Sequence, residues 1–234
     1  MRKTLSLMCL LVLTGVRPSL YAQELQTSIS GFGAITTSSK LFYHPHDTNE
    51  LTRGQYLGLD NVFSGGIDVR KEILQYRLQL GLSIEYISST NEYSIPVSTF
   101  LVPVRDGYTA VPVELTAYFI IPFSGDQIKI SMGGGAGVYF GNRTYDEAGE
   151  QAYVTDRTMG YGIHIVSGLE YYLAPSFSLR SNVKFRDVQF ETINQFITST
   201  VRFANANIPL PPDPLESRIA VDGMNITLGI VVHF

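Results

Sequence analysis

Tryptophan is absent from the 234 residues, and the one cysteine, Cys9, lies close to the start of the chain. No window contains the run of ~18 apolar residues that a membrane-spanning helix needs. Charged side chains make up only 16% of the residues. Because Cys9 lies in a segment that we expect to be removed, the exported chain could form no disulfide. These absences argue against a disulfide-stapled scaffold and against a helical membrane protein.

The first residues have the organisation of a secretory leader. Arg2 and Lys3 are basic, Leu5–Val16 is apolar, and Leu20-Tyr21-Ala22 is a plausible cleavage site. We therefore predict a signal peptide over 1–22, export of the chain, and one domain over 23–234. The leader takes three of the 17 basic residues and none of the 21 acidic ones, so the remaining chain is acidic. That balance disfavours a nucleic-acid partner, since nucleic-acid binders carry basic patches.

The chain is rich in small and aromatic residues, with 21 glycines, 14 tyrosines and 13 phenylalanines. Tyrosine and phenylalanine suit the two interfaces of a membrane, and without tryptophan they must supply any aromatic girdle. Glycine suits the crowded interior of a narrow barrel.

The last segment, Gly223–Phe234, has a clear period of two. One face is wholly apolar and the other is mostly small or polar, as expected for a β-strand. An apolar strand at the end of a chain is an unprotected sheet edge, unless the sheet closes and the last strand pairs with the first. The apolar face consists of Met224, Ile226, Leu228, Ile230, Val232 and Phe234.

Seven earlier segments also have strand character, and Gln75–Ile87 has the clearest interior alternation. The first segment alternates poorly, so its outward face is not assigned. Pro112 lacks a backbone donor and is expected near a rim. The eight predicted strands are Thr27–Ser38, Leu57–Arg70, Gln75–Ile87, Val111–Ile121, Ile128–Phe140, Met159–Leu173, Phe177–Phe190 and Gly223–Phe234.

The connections alternate in length. Those after the second, fourth and sixth strands are short, and the others are long and polar. This rhythm is typical of an eight-stranded antiparallel up-and-down transmembrane β-barrel, with short periplasmic turns and long extracellular loops. The predicted long loops are Ser39–Tyr56, Ser88–Asp106, Gly141–Thr158 and Ile193–Ser217.

Three short motifs, Val111–Leu115, Gly133–Phe140 and Gly168–Leu173, carry a family resemblance. They are similar to patches in small bacterial outer-membrane β-barrels of the OmpA-transmembrane-domain and OmpX-like group. The alternating C-terminal segment that ends at Phe234 resembles the assembly signal of that group. The resemblance implies an outer-membrane location, contact with membrane lipid, and recognition of the last strand by the barrel-assembly machinery. It indicates an architecture and no particular activity.

Ten charged residues are predicted on the inward faces. The bore of an eight-stranded barrel is only just filled by side chains, and unpaired buried charge is costly, so we expect a plug of ion pairs. Glu85, Glu114 and Glu170 should each pair with Arg or Lys on a neighbouring strand. The predicted interior network is Asp68, Arg70, Arg77, Glu85, Glu114, Lys129, Glu170, Arg180, Lys184 and Arg186.

Two sets of residues offer enzyme or metal chemistry. His164 and Ser167 suggest a lipid-modifying hydrolase, but their spacing places them on opposite faces of a strand. His44 and His46 could bind a metal, yet no third firm ligand stands near them and a solvated loop is the simpler interpretation. His233 is interpreted as an interfacial polar residue. We expect no enzyme, no cofactor and no metal site.

The sequence therefore favours an integral outer-membrane barrel with a structural or surface-interaction role. An unidentified extracellular ligand or partner could contact the long loops. A narrow gated channel for small solutes is the first alternative, and a lipid-modifying enzyme is the second. A secreted lipocalin also has eight strands, but the first strand of that family carries a Gly-x-Trp motif, which a chain without tryptophan cannot contain.

Overall fold

The computed structural model describes residues 27–74, 77–97, 100–122, 125 and 127–234. The predicted leader lies outside these residues. Nearly all of the described chain is strand, with one four-residue helix, α1 (Glu50–Arg53). None of the described helices is long and apolar enough to span a membrane. The strands are β1 (Thr27–Phe42), β2 (Tyr56–Leu74), β3 (Leu78–Val97), β4 (Phe100–Ile120), β5 (Ile128–Glu147), β6 (Glu150–Arg157), β7 (Gly160–Ala174), β8 (Phe177–Gln195), β9 (Thr200–Phe203), β10 (Ala206–Pro209), β11 (Leu215–Ala220) and β12 (Met224–His233).

Eight of these strands form a closed antiparallel ring. The order is β1–β2–β3–β4–β5–β7–β8–β12, and β12 returns to β1. Closure runs from Ser28 opposite His233 to Thr36 opposite Asn225, and the other edge of β12 pairs with β8. The structure thus confirms the predicted up-and-down barrel and the predicted pairing of the last strand with the first.

The predicted long loops are wrong in part, because much of their length is strand. β3 and β4 continue as one hairpin through most of Ser88–Asp106, from Ser88 opposite Thr109 to Val97 opposite Phe100. β6 lies within Gly141–Thr158, β9 and β10 lie within Ile193–Ser217, and β11 begins in that last segment. These polar segments have weak intrinsic strand preference, but a neighbouring strand provides their hydrogen-bond ladder.

The ring has two parts that differ in what faces in and out. We call the part between the short turns and the level of Phe63, Tyr86, Phe140 and Tyr161 the lower barrel, and the part beyond it the upper barrel. In the lower barrel large apolar side chains point outward, for example Ile163 at 69% exposed and Leu228 at 65% exposed. The alternation predicted for Gly223–Phe234 and Gln75–Ile87 is confirmed there, with Leu228 and Leu82 on the outer face. On β1, which the sequence left unassigned, Ile29 and Ile35 face outward.

In the upper barrel the pattern is reversed. Apolar side chains fill the interior, and polar residues such as Asp60, Asn142 and Glu191 face outward or lie at least partly exposed. The buried cluster comprises Leu41, Leu59, Val62, Ile87, Tyr108, Ala110, Tyr139, Val188, Phe190, Ile219 and Val221.

Two local irregularities lie where the lower barrel meets the upper. On β2, Asn61 has a positive φ of 53°, and the buried positions shift from Leu59 to Val62 across Asp60 and Asn61. The register of the β1–β2 ladder is the same on both sides of this point, so no residue is inserted; the left-handed backbone of Asn61 accompanies the change in which side chains face inward. Pro112 lies within β4 and not at a strand end, so the rim prediction is wrong. The β3–β4 pairs beside Pro112 are missing between Val113 and Ala110, as expected where the N–H donor is absent.

Glycines on β5 allow β4 to approach closely. A Cβ at Gly135 would lie 1.9 Å from the carbonyl oxygen of Leu115, and one at Gly133 would lie 2.4 Å from that of Ala117. No side chain fits such a gap, so these glycines are required by the packing of the narrow lower barrel.

Candidate functional site

The bore of the lower barrel contains nine buried charged residues, five acidic and four basic. Their side chains come from five strands, and β8 supplies three of the four cations. Eight of the nine, four of each sign, form ion pairs with one another, as charges in a region that excludes water require. The buried set is Asp68, Arg70, Glu72, Glu85, Glu114, Glu170, Arg180, Lys184 and Arg186.

Four of these residues form an ion-pair chain near the short turns. Arg70 Nε donates to Asp68 Oδ1 at 2.7 Å, and Arg180 Nη1 donates to the same oxygen at 3.0 Å. Arg180 Nε donates to Glu170 Oε2 at 3.0 Å. The guanidinium of Arg70 also lies 3.6 Å from the ring centre of Tyr118, a cation–π contact. Each buried charge in this chain therefore has at least one partner of opposite sign.

Four further residues, Glu85, Glu114, Lys184 and Arg186, form a second cluster higher in the bore. Lys184 donates to Glu114 Oε2, and Arg186 donates to Glu85 Oε2. Arg186 Nε lies 3.1 Å from Glu114 Oε1. Tyr139 donates its hydroxyl hydrogen to Glu114, so this carboxylate is held by three side chains at once.

The pairing differs from the prediction in which strands it joins. Glu170 and Arg180 are on neighbouring strands, as expected. Glu85 on β3 and Glu114 on β4 pair instead with cations of β8, which is not adjacent to either strand in the ring. Their bonds therefore run across the bore, because a narrow eight-stranded barrel brings opposite walls within side-chain reach.

Two predicted members do not belong to this network. Arg77 lies in the turn between β2 and β3 and is exposed. Its odd number matches the inward-facing residues of β3, but the strand begins only at Leu78, so the alternation does not extend to Arg77. Lys129 is only partly buried, and its ammonium lies 4.7 Å from the ring centre of Tyr172. Both residues are too near the lower rim to reach the ion pairs of the bore.

The lower mouth contains a serine, a histidine and a glutamate that sequence reasoning did not bring together. His233 Nε2 lies 2.8 Å from Ser178 Oγ and 2.9 Å from Glu170 Oε1. Ser178 also donates to Glu170. His233 stacks on Tyr172 with ring centres 4.9 Å apart, so this residue, interpreted from the sequence as interfacial and polar, lies at the mouth of the bore.

This trio does not have the geometry of a hydrolase triad. In such a triad the acid binds one imidazole nitrogen and the serine the other. Here both partners contact the same nitrogen, and the serine hydroxyl hydrogen is engaged by the acid. Ser178 is completely buried, so no substrate could reach it. The contacts close the mouth of the bore.

The candidate sites proposed from sequence are not assembled either. His164 is buried with Nε2 2.8 Å from Thr116 Oγ1, while Ser167 is exposed on the outer face, so they lie on opposite faces, as predicted. His44 is exposed, and His46 contacts Glu191 at 3.3 Å. Among the described residues no group of three or more His, Cys, Asp and Glu side chains could hold a metal ion.

Little free space remains between the two ion-pair clusters. A cavity of about 20 Å³ lies among polar side chains that include Asp68, Arg70, Asn182 and Lys184. Roughly 10–15 Å³ is enough for one water molecule, so the cavity has the size and polarity of a single hydration site. It is not a continuous path.

Tyr139 marks the change from the charged bore to the apolar interior. Its hydroxyl binds Glu114, while the completely buried side chain packs in the apolar cluster of the upper barrel. Above that cluster Arg143 donates to both carboxylate oxygens of Asp106, at 2.8 and 2.7 Å, and to Ser217 Oγ at 2.7 Å. The bore is therefore filled in three successive layers: ion pairs, apolar side chains, and a second buried ion pair.

The far end of the upper barrel carries titratable groups with altered affinity for protons. Burial raises the pKa of Glu147 above its usual value, although the Tyr145 hydroxyl donates to it at 3.2 Å. Burial also raises the pKa of Tyr93, which shares a side-chain hydrogen bond with Tyr43. Burial raises the pKa of Tyr43 as well. Sequence reasoning missed these residues because they fall in segments predicted as loops.

No family model matches the chain, and no curated protein does. Several solved structures have a similar backbone fold. Neisserial surface protein A is 12% identical, with 89% of this chain and 97% of that chain covered and a TM-score of 0.49. Ail, the attachment invasion locus protein of Yersinia pestis, is 13% identical, with coverages of 91% and 100% and a TM-score of 0.45. The N-terminal β-barrel domain of Pseudomonas aeruginosa OprF is 14% identical, with coverages of 90% and 98% and a TM-score of 0.44. Identities this low concern the fold alone.

The class of protein is thus defined by the fold itself. The chain has the architecture of a small bacterial outer-membrane β-barrel: a closed antiparallel ring of eight strands whose lower part has an apolar exterior and a polar bore.

Proposed function

We propose that the chain is an integral protein of the bacterial outer membrane with a plugged bore and a structural or surface-interaction role. The observation that carries the proposal is the reversal of the exposed faces. The lower barrel exposes large apolar side chains all around, such as Phe63, Ile163 and Leu228. An apolar surface of this extent is unfavourable in water and favourable against lipid.

The dimensions also fit a bilayer. A tilted strand of ~9–11 residues crosses the hydrocarbon core, and β12 has 10 residues. The upper barrel, with its polar outside, would then stand in water beyond the membrane. Export through the leader over 1–22 and recognition of Met224–Phe234 by the assembly machinery belong to the same proposal.

The plugged bore favours this role over the channel. Ion pairs fill the lower barrel, and the apolar cluster above them includes completely buried Leu41, Tyr108 and Ile219. An ion would have to break the former and displace the latter. Nothing in the geometry of the described residues favours an enzyme.

Two measurements test the proposal. The protein should fractionate with the outer membrane and migrate faster on a gel when unheated than when boiled. Reconstituted in planar bilayers, it should show no single-channel conductance steps. Recovery from the periplasm as a water-soluble protein would overturn the membrane location, and reproducible conductance would replace the plugged barrel with the channel.

A further inference from the structure

An open groove crosses the outer face of the lower barrel from β3 to β8. Its volume is about 650 Å³, within the ~300–1,000 Å³ range of sites that bind small molecules. The groove begins at Leu82 on β3 and ends at Asp187 on β8. Asp187 is the only charged residue among the described residues that line it. The groove therefore has a long apolar body and one acidic end.

The groove is narrow. Leu115 and Ile163 form part of its lower wall, Val113 and Tyr161 form part of its upper wall, and the backbone of Gly162 lies between the walls. Alternate residues of a strand, such as Tyr161 and Ile163, are separated by about 6.8 Å, twice the ~3.4 Å rise per residue. An α-helix with its side chains is ~10–12 Å wide and cannot enter this space. A single extended hydrocarbon chain can.

The lower wall follows one line of the hydrogen-bond ladder. Leu82 lies opposite Leu115, Leu115 opposite Ala136, Ala136 opposite Ile163, and Ile163 opposite Asp187. Five strands are joined by four spacings of ~4.8 Å, so the groove is about 19 Å long. A hydrocarbon chain of membrane-lipid length can therefore lie along it.

The groove is also inclined relative to the boundary between the lower and the upper barrel. At its β3 end Leu82 lies four residues below Tyr86, whereas on β7 Ile163 lies only two residues below Tyr161. The strands of such barrels tilt by ~35–45°, so a line of about 19 Å across them changes depth by about 12 Å. One half of the ~30 Å hydrocarbon core is about 15 Å thick. The groove thus leads from the boundary at Asp187 deep into one leaflet.

Asp187 gives the upper end of the groove its chemical character. Its side chain is exposed on the outer face of β8, and no cation within the described ranges pairs with it. The buried carboxylates Glu85 and Glu114 of the bore, in contrast, each have a cationic partner. A carboxylate at the edge of an apolar region attracts a cation more strongly than one in bulk water, because the local dielectric constant is lower.

We infer that the groove is a binding site for a membrane lipid with a primary ammonium headgroup. One acyl chain lies between the two walls, and the ammonium group binds the carboxylate of Asp187. Lipid tails are as apolar as the side chains of the walls, so burial of the chain by itself gives little selectivity. Selection comes from the headgroup: Asp187 attracts the ammonium of phosphatidylethanolamine and repels a headgroup that carries only negative charge.

This inference rests on the proposed membrane location. The folded full-length protein in neutral detergent is mixed with equal amounts of phosphatidylethanolamine and phosphatidylglycerol that have the same acyl chains, and retained lipid is identified by native mass spectrometry. We expect one retained lipid, with phosphatidylethanolamine favoured about fivefold or more. Asp187→Asn should abolish the preference. Asp60→Asn is the matched control, because Asp60 is an exposed carboxylate of the upper barrel, and it should keep the preference.

A second pair of variants tests the body of the groove. Ala136→Leu places a larger side chain in the groove and should reduce the retention of both lipids at least fivefold. Ala117→Leu makes the same change at another exposed position, on the outer face of β4, and should leave retention unchanged. Heat-dependent gel mobility confirms that all four variants are folded.

The position of the lipid is measured by nuclear magnetic resonance in nanodiscs, with phosphatidylethanolamine that carries a spin label. A label near the acyl carbonyl should broaden the amide signals of Ile163 and Asp187. A label near the methyl end should broaden that of Leu82. Lipid that merely surrounds the barrel would instead broaden all eight strands equally at each depth.

Three results would overturn the site: equal retention of the two lipids, an unchanged preference in Asp187→Asn, or equal broadening around the ring. A dimer in the native spectra that Ala136→Leu disrupts would show that a second copy occupies the groove and would overturn it as well. A protein that inserts into nanodiscs and gives any of these results loses the site but keeps its membrane location. Failure to insert would overturn both.

Discussion

The lower and the upper barrel share six strands, β1 to β5 and β8, but have opposite distributions of polar and apolar side chains. β4 shows the contrast within one strand. Near its lower end Glu114 and Thr116 face inward and Leu115 faces outward, whereas near its upper end Val102 and Val104 are buried. The difference indicates that the two parts meet different surroundings, because a fold buries whichever face its solvent disfavours.

The contrast also shows how one barrel can be filled in two ways. Charged side chains in the lower barrel need partners across the bore, so their stability depends on a few exact contacts. Apolar side chains in the upper barrel need only dense packing. Four substitutions test this distinction, taken from the largest expected effect to the smallest.

Glu114→Ala should be the most damaging change. It leaves Lys184 and Arg186 with a single carboxylate, Glu85, in a buried site, and breaking a buried pair in this way costs about 3–5 kcal/mol. Urea unfolding in lipid vesicles, followed by gel mobility, measures the loss. Glu92→Ala removes an exposed partner of Arg105 and should cost about 0–1 kcal/mol. Similar losses for both variants would mean that the bore is hydrated and not plugged.

Leu228→Arg tests the surroundings of the lower barrel. Leu228 is 65% exposed near the middle of β12, and a charge facing lipid at mid-depth costs about 2–4 kcal/mol. The same change at Leu101, which is equally exposed but in the upper barrel, should lie within about 0.5 kcal/mol of neutral. The comparison is made by unfolding both variants in vesicles. If Leu228→Arg were also neutral, the lower barrel would not face lipid.

Ile219→Val probes the packing of the upper barrel. Ile219 is completely buried in the apolar cluster, and removing one buried methylene there should cost about 0.5–1.5 kcal/mol. Ile230→Val on the outer face of the lower barrel serves as the control, since a lipid acyl chain can fill the space that the lost methylene leaves there. A larger loss at Ile230 than at Ile219 in vesicle unfolding would contradict a packed upper core.

Glu147→Gln should have the smallest effect, and its sign depends on pH. Because the folded state raises the pKa of Glu147, it binds the proton more tightly than the unfolded state does. Stability from this group is therefore greatest below the ordinary carboxyl pKa and falls as pH rises through the raised value. At neutral pH the glutamine variant should be slightly more stable than the parent.

The difference between these two proteins should shrink as the pH is lowered towards the ordinary carboxyl pKa. Protection of the upper-barrel amides in hydrogen exchange, measured across that range, is the suitable readout. A variant that gains stability equally at all pH values would show that the carboxyl proton is not involved.

The sequence by itself determined the ring and most of its orientation. Strict alternation in segments such as 78–87 and 224–234 allows only one face to be apolar, and alternate short and long connections allow only neighbouring strands to pair. The same alternation of inward and outward side chains predicted that Glu85, Glu114 and Glu170 face the bore. The outward face of β1 could not be predicted in this way, because Ser28, Ser30 and Gly31 give no clear apolar face.

Only the tertiary structure decided which charges meet and where the strands end. That β8 provides the partners of Glu85 and Glu114 follows from the width of the closed ring, which no local pattern contains. The upper strands could not be predicted either, because segments such as 88–106 become strand only when a neighbouring strand supplies their hydrogen-bond ladder. Local periodicity fixes the face of a residue, but its partner across the bore is fixed by closure of the barrel.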